Sequence, residues 1–480
     1  LFGKCCEFAR AIWYNAIILM RNLLCSMVVV ASVITCPVFN WAEDPMPQLA
    51  LTSQDRILVI APHPDDETIG AGGVIQEAVR LNIPVHVMYL TNGDSNPLAF
   101  SLYKKRPVFG KRQALEMGQL RQKEAIEAAS RLGLHEDQLI FLGYPDYGTL
   151  SIFRKFWQTK KPYRSTLIRA VSVPYSLSLT PGATHEAQSV LSDFKKVLLE
   201  AKPTKVFVTH PADDNADHQA AYLFLRVALW DLQEQLGDVS VYTFLVHAVG
   251  WPRPMGFCPQ WQLSINGHLH SKFNQWVNFE LSPQQLDRKK EAVERYHTQM
   301  PYKPKFLYSF VRANELFALV SDITLRPQTM DAKAWRGLDH DQEFRKTNNR
   351  LDMQSRVALR SVVYGLDAQH LVVKIKLNQW SRSGFDINLY LFGYRKGVPF
   401  KEMPKYRVQL TNDHGAVVFD GQRRVRTKGV KVSRTGNDFF VSFPLSLMND
   451  PDKVISSTAV RIQNWPMESS MWAVMELNDD

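Results

Sequence analysis

The chain has 480 residues, 45% of them hydrophobic and 22% charged, with a formal net charge of +10 and 5 cysteines. Such a length leaves room for two or more domains and a sizeable core, and the balance is that of an ordinary globular chain, so composition alone does not speak to function. Four cysteines, Cys5, Cys6, Cys25 and Cys36, precede residue 40; Cys258 stands alone in the remainder, which excludes an internal disulfide there and any cysteine-rich zinc site.

In chain order, Arg21 precedes an apolar run from Leu23 to Ile34, and the acidic, proline-bearing segment Pro37 to Pro45 follows. A basic start, a short apolar core and a small residue at Ala42 predict a secretory signal within residues 1–45, cleaved after Ala42. Met20 is the natural start of such a signal, with residues 1–19 as an upstream extension. The alternative is an uncleaved anchor, for which the run is short.

Ile57 to Ala61 is an unbroken apolar run, the pattern of a strand buried on both faces of a parallel sheet. His63, Asp65, Asp66 and Glu67 follow at once, and Thr68 to Arg80 carries apolar residues at helical spacing. Ligands bind at the carboxyl ends of strands in open α/β sheets. Here His63 and Asp66 are spaced to face one divalent cation while Asp65 points at a bound water. The plainer reading is that Asp65 or Asp66 caps the helix and that Gly70, Gly72 and Gly73 only permit close packing. Val85 to Leu90 predicts a second strand, Asn96 to Arg112 a basic loop, and Gln113 to Leu132 a long helix. Ser151 to Glu186 reads as an insertion shaping a substrate groove; Phe153, Trp157 and Tyr163 within it fit a helix core better than a sugar platform.

A second cluster repeats the pattern. Lys205 to Thr209 reads as a strand, His210-Pro-Ala-Asp-Asp-Asn-Ala-Asp-His218 follows, and a helix runs from Ala220 to Trp230. Three protein ligands and one open position make the usual catalytic zinc site, so His63, Asp66 and His218 form an economical set. Asp217 as a helix cap and His210 as a structural residue are the competing readings. Val239 to Val246 predicts a late strand leading to His247, and Gln284 to Gln299 a closing helix on which Asp287, Arg288, Lys289, Lys290 and Glu291 form a solvated face.

The PHPDDE stretch at Pro62 to Glu67 and the later ADHQAA at Ala216 to Ala221 resemble the PIG-L (LmbE-like) family of zinc-dependent de-N-acetylases. Leu90 to Asp94, Arg121 to Glu124, Arg131 to Gly133, Phe141 to Asp146 and Lys290 to Gln299 fit the same family in order. The resemblance spans roughly Gln54 to Ala313 and implies a Rossmann-like, mostly parallel α/β sheet with flanking helices. By position it implies metal ligation by His63, Asp66 and His218, with Asp65 as general base and Arg121 and Asp146 in contact with the sugar. Where the family usually has a further histidine that stabilises the tetrahedral intermediate, this chain has Asn215, which donates a hydrogen bond but no proton. His247, His210 or a returning proton on Asp65 then fills the gap.

Residues 331–354 read as a polar linker. From Ser355, alternating runs such as Leu371 to Leu377, Ile387 to Phe392 and Phe439 to Phe443 predict an all-β, sandwich-type accessory domain over 355–480. Lys396, Lys401, Lys405, Arg407, Arg423, Arg424, Arg426, Lys428, Lys431 and Arg434 concentrate positive charge there. That charge is either a solvated face or an attraction to anionic glycan or a membrane surface; no nucleic-acid motif accompanies it. The expectation is an exported, periplasmic or extracellular deacetylase of an N-acetylglucosamine-type sugar or polysaccharide, soluble or held by its N-terminal segment. Zn²⁺ is the expected ion, with Fe²⁺ and Co²⁺ suited to the same donors. The alternatives are a catalytically weakened carbohydrate-binding surface protein and an amidase acting on another N-acyl compound.

Overall fold

The unbroken apolar run Ile57–Ala61 forms strand β1, buried along its whole length. A computed structural model describes residues 46–108, 110–265, 273–327, 359–367, 369–378, 385–410, 415–462 and 465–477. The expected leader and the expected linker lie outside the described residues. Beside β1, the strands β2 (Val85–Thr91), β3 (Leu139–Tyr144), β4 (Lys205–Thr209), β5 (Ser240–Phe244), β6 (Asn274–Glu280) and β7 (Asn314–Val320) make one sheet, in the order β3-β2-β1-β4-β5-β7-β6. The first five are parallel, and β7 runs antiparallel to both β5 and β6.

The helices are α1 (Asp66–Arg80), α2 (Pro97–Lys104), α3 (Lys111–Arg131), α4 (Thr149–Lys155), α5 (Ala187–Ala201), α6 (Ala216–Asp231), α7 (Gln233–Leu236), α8 (Pro283–Val293) and α9 (Pro304–Tyr308). Helix α8 packs on α1 and α3, and α6 packs on α4 and α5. Leu58, Ile60, Val206 and Val208 share one apolar cluster with α5 and α6. Alternation along β1 sends Val59 to the opposite face. Gly70 is required where α1 meets the end of β5, because a β-carbon there would sit 2.3 Å from the ring of Phe244.

A second region carries β8 (Ile323–Leu325), β9 (Leu359–Leu366), β10 (His370–Leu377), β11 (Phe385–Tyr394), β12 (Lys405–Leu410), β13 (Ala416–Asp420), β14 (Arg423–Val425), β15 (Lys431–Thr435), β16 (Asp438–Pro444), β17 (Lys453–Ile462), β18 (Trp465–Ser469) and β19 (Ala473–Leu477). One sheet is ordered β15-β16-β10-β9 and the other β14-β13-β12-β11-β17-β19-β8, with β18 on β17. Val373 and Ile375 of the first share a core with Leu389, Leu391 and Val408 of the second, so the two sheets face each other as a sandwich. β8 precedes the expected linker yet pairs with β19.

Several local expectations change in three dimensions. The stretch Asn96 to Arg112 contains α2, because Asn96 accepts the Ala99 N–H and Pro97 suits the first helical turn. Helices α1 and α6 begin at Asp66 and Ala216, earlier than periodicity indicates, since their polar first turns carry no apolar stripe. Phe153 and Trp157 are core residues, packed with Phe224 of α6 and with Phe392 and Phe400 of the β region. Lys289 is buried, with Nζ 2.6 Å from Glu315 and 3.0 Å from the Ile69 carbonyl oxygen, and is no part of a solvated face. Lys405 is also buried and donates to the carbonyls of Phe400 and Met403, which removes it from the basic surface. Among the described residues no helix is long and apolar enough to cross a membrane.

Candidate active site

The turn after β1 places four acidic or imidazole side chains within five residues, and its backbone is strained to do so. Asp65 has φ 131°, a region that L side chains rarely adopt and that persists only where neighbours hold it. Three contacts hold it. The Asp65 N–H donates to Glu67 Oε2 at 3.1 Å, and Arg121 donates to the Pro64 carbonyl at 2.5 Å and to Asp65 Oδ2 at 3.0 Å. Arg121 is itself fixed by the carbonyl of Gly93, where a β-carbon would lie 1.9 Å from the guanidinium. Glu67 accepts hydrogen bonds from Thr68 and from the Tyr296 hydroxyl in the segment after α8.

His63 Nδ1, Asp66 Oδ2 and His218 Nε2 form a triangle with sides of 3.1, 3.1 and 3.2 Å, and all three residues are buried. A tetrahedral ion with bonds of about 2.0–2.1 Å has ligand atoms about 3.3 Å apart. The triangle is therefore close to one face of such a coordination shell, and the residues fit a divalent cation. Their outer nitrogens face carboxylates, as in ligating histidines. His63 Nε2 lies 3.2 Å from Asp146 and 3.4 Å from Asp217, and His218 Nδ1 lies 3.2 Å from Asp213. Asp65, Asp66 and Asp146 bear on Arg121 and Asp213 and Asp217 stand against the histidines, an excess of carboxylates that a cation offsets.

No motif or periodicity marks Asp213, yet it ties the second loop together. Its Oδ2 accepts the Val246 and His247 N–H groups at 3.0 and 2.8 Å, and its Oδ1 accepts Asn215 N–H at 2.9 Å. The signal available was chemical: a ligating His218 needs an acceptor at its other nitrogen, and Asp213 is five residues away. Asn215 is the cap of α6, accepting Asp217 N–H at 2.8 Å. Asp217 is not a cap; it accepts N–H groups from Tyr147 and Thr149, at 2.6 and 3.1 Å, and joins the end of β3 to α6.

Asp65, Arg121, Asp146, Asn215 and His247 line one pocket with His63, Asp66, Tyr302 and Phe306. The ring of His247 stacks on Phe306 at 5.3 Å and stands 4.9 Å from His218. His210 does not line that pocket: it stacks on Trp276 at 5.9 Å, and its Nδ1 accepts Ala212 N–H. Asp146 accepts Ser95 N–H at 2.8 Å through Oδ2, while its buried Oδ1, apart from the His63 contact, and the buried Nε of Arg121 have no hydrogen-bond partner. Burial, assisted by Asp66 and Glu67, pushes Asp65 up to about 7 against the pull of Arg121 and His63. Burial takes His247 down to about 4. On His218 burial acts downward, but Asp213 and Asp66 prevail and raise it to about 9.

The fold and the site define a mostly parallel α/β protein with a candidate metal centre at the carboxyl edge of its sheet. Residues 58–229 match the family described as PIG-L: GlcNAc-PI de-N-acetylase, and the chain carries a PIG-L domain there. Among solved structures it is similar to the conserved protein TT1542 from Thermus thermophilus, with 20% identity, 55% of this chain and 93% of that chain covered, and a TM-score of 0.34. For the N,N'-diacetylchitobiose deacetylase of Pyrococcus horikoshii the values are 17%, 55%, 82% and 0.34. For GalB, the 4-carboxy-2-hydroxymuconate hydratase of Pseudomonas putida, they are 15%, 57%, 98% and 0.33. No curated protein matches the chain.

Proposed function

We propose that the chain hydrolyses the acetamide of an N-acetylglucosamine-type sugar or polysaccharide, releasing acetate and a free amine. The observation that carries this reading is the buried triangle of His63, Asp66 and His218, two of whose members, His63 and Asp66, line one pocket with Asp65. A divalent cation at these donors, zinc by their chemistry, would acidify water and polarise a carbonyl. Asp65, held by Arg121, takes the proton of the attacking water and passes it to the nitrogen as the C–N bond breaks. The amide of Asn215 and the imidazole of His247 supply N–H donors for the developing oxyanion. In that role His247 acts as the neutral imidazole, the form that its burial favours.

A shared fold does not fix chemistry, so the reading rests on the site and on the family domain. The test is acetate release by the metal-loaded protein from N-acetylglucosamine monomers, oligomers and polysaccharides. Release with appearance of a free amine is expected. Silence from a folded, metal-loaded protein against every N-acetylated sugar would favour a weakened, carbohydrate-binding protein; turnover of non-sugar N-acyl compounds alone would favour a different amidase. We also place the protein outside the cytoplasm, a reading supported by Arg21, the run Leu23 to Ile34 and Ala42. Failure of residues 20–45 to export a fused reporter would contradict it.

A further inference from the structure

The ten basic residues of the β region do not act as one patch, and the cations that converge include three that lie outside that set. On the outer face of the second sheet, Arg407 of β12 stands opposite Tyr390 of β11, and Arg461 of β17 stands opposite Asp386. Arg407 reaches along the face to Asn388 Oδ1 at 2.8 Å and lies 3.9 Å over the ring of Phe419. From the other side α4 lays Arg154 over Tyr390 at 4.3 Å and over Trp472 at 5.1 Å, and the buried Nε of Arg154 has no partner. Lys155, exposed at the end of α4, is the fourth cation.

Stacking fixes the faces of two guanidinium groups and leaves their edges as donors, the geometry that suits planar carboxylates and tetrahedral oxyanions. Half-buried like charges repel in a medium that screens them poorly, and an anion among them relieves that cost. Burial and neighbouring arginines accordingly lower Arg154 and Lys155 from their ordinary values. The carboxylate that bears on Arg407 is Asp386.

We propose that Arg154, Lys155, Arg407 and Arg461 form a binding site for the acidic groups of an anionic polysaccharide. Tyr147 lines the pocket, and the Thr149 N–H, at the start of α4, donates to Asp217; Lys155 lies about 9 Å further on at 1.5 Å per residue. A polymer lying along α4 would meet the cations with one unit and the pocket with another; only this relation to the pocket rests on the proposed deacetylase reading, and binding does not.

The test is binding by the intact protein, followed calorimetrically, of polygalacturonate, dextran sulfate, neutral dextran and vesicles of anionic phospholipid. Both acidic glycans, or the one whose acid the site prefers, should bind; neutral dextran should not. The double substitution Arg407→Gln with Arg461→Gln should weaken binding roughly tenfold, as expected for two charge-assisted contacts. Arg461→Gln alone, which leaves the Arg407–Phe419 stack in place, should weaken it about threefold. Lys428→Gln with Lys431→Gln changes net charge equally at exposed positions and should alter affinity less than about twofold. Equal loss in that control, absence of binding to either acidic glycan, or binding to vesicles alone would overturn the proposal.

Discussion

Asp213 does for His218 what Asp146 does for His63: it faces the nitrogen turned away from the metal-ligand triangle. Carboxylates in that position orient the ring and raise its basicity, and their loss commonly costs about 10–100-fold in metal affinity. Asp213→Asn should therefore weaken zinc binding by about that factor in competition with a chromophoric chelator; unchanged affinity would leave Asp213 only the role of tying the loop. His63 and Asp66 are legible because they follow the apolar run of β1 directly, and His218 because it sits in the ADHQAA stretch at the start of α6. Arg121 was legible as a site residue, but not its grip on the Pro64 carbonyl and Asp65, because that contact crosses 56 residues of chain. The placement of His210 against Trp276 depends on β6, 66 positions away, and nothing near His210 signals it.

At the scale of elements, α3 is tied to the segment that walls the pocket. Glu124 accepts the Thr298 N–H at 2.8 Å and its hydroxyl at 2.7 Å, next to Gln299 and Tyr302 of the pocket. Burial raises Glu124 to about 7, against the Thr298 hydrogen bonds and Arg121. A carboxyl that holds its proton more tightly folded than unfolded adds stability below its unfolded pKa of about 4.5, and that contribution is lost as pH rises through about 7. Glu124→Gln keeps both contacts to Thr298 without the ionisation. Chemical denaturation should find it more stable than wild type by on the order of 2 kcal/mol at pH 8, the advantage vanishing near pH 4.5; an advantage independent of pH would contradict this. Strands β1 and β4 matched the apolar runs residue for residue, since buried parallel strands carry the signal in every side chain. Lys289 carries the pattern of a solvated face because its partners, Glu315 and the Ile69 carbonyl, come from other elements.

At the scale of the molecule, residues 47–480 make one compact unit, and the β region reaches the site. Trp472 donates through Nε1 to Gln219 Oε1 at 2.9 Å, and Gln219 donates through Nε2 to the Asp213 carbonyl at 2.8 Å. Alternation in the sequence made the strands of the sandwich legible. It did not reveal this connection, because a buried tryptophan gives no sign of its partner. Trp472→Phe leaves the buried Oε1 of Gln219 without its donor, at a cost of about 1–3 kcal/mol before any cavity is counted. Urea unfolding should show one shared transition moved to lower denaturant, together with weaker zinc binding. Separate transitions, or zinc affinity equal to wild type, would mean that the β region stands apart from the site.

The most direct measurement of the central claim compares zinc content and acetate release in wild type, Asp65→Asn and His218→Ala, each shown to be folded. Expected are one zinc per chain and acetate release in wild type, near-normal zinc with release reduced by about 10³-fold or more in Asp65→Asn, and zinc lost in His218→Ala. Zinc retained without His218, or acetate released at the wild-type rate without the Asp65 carboxylate, would contradict it.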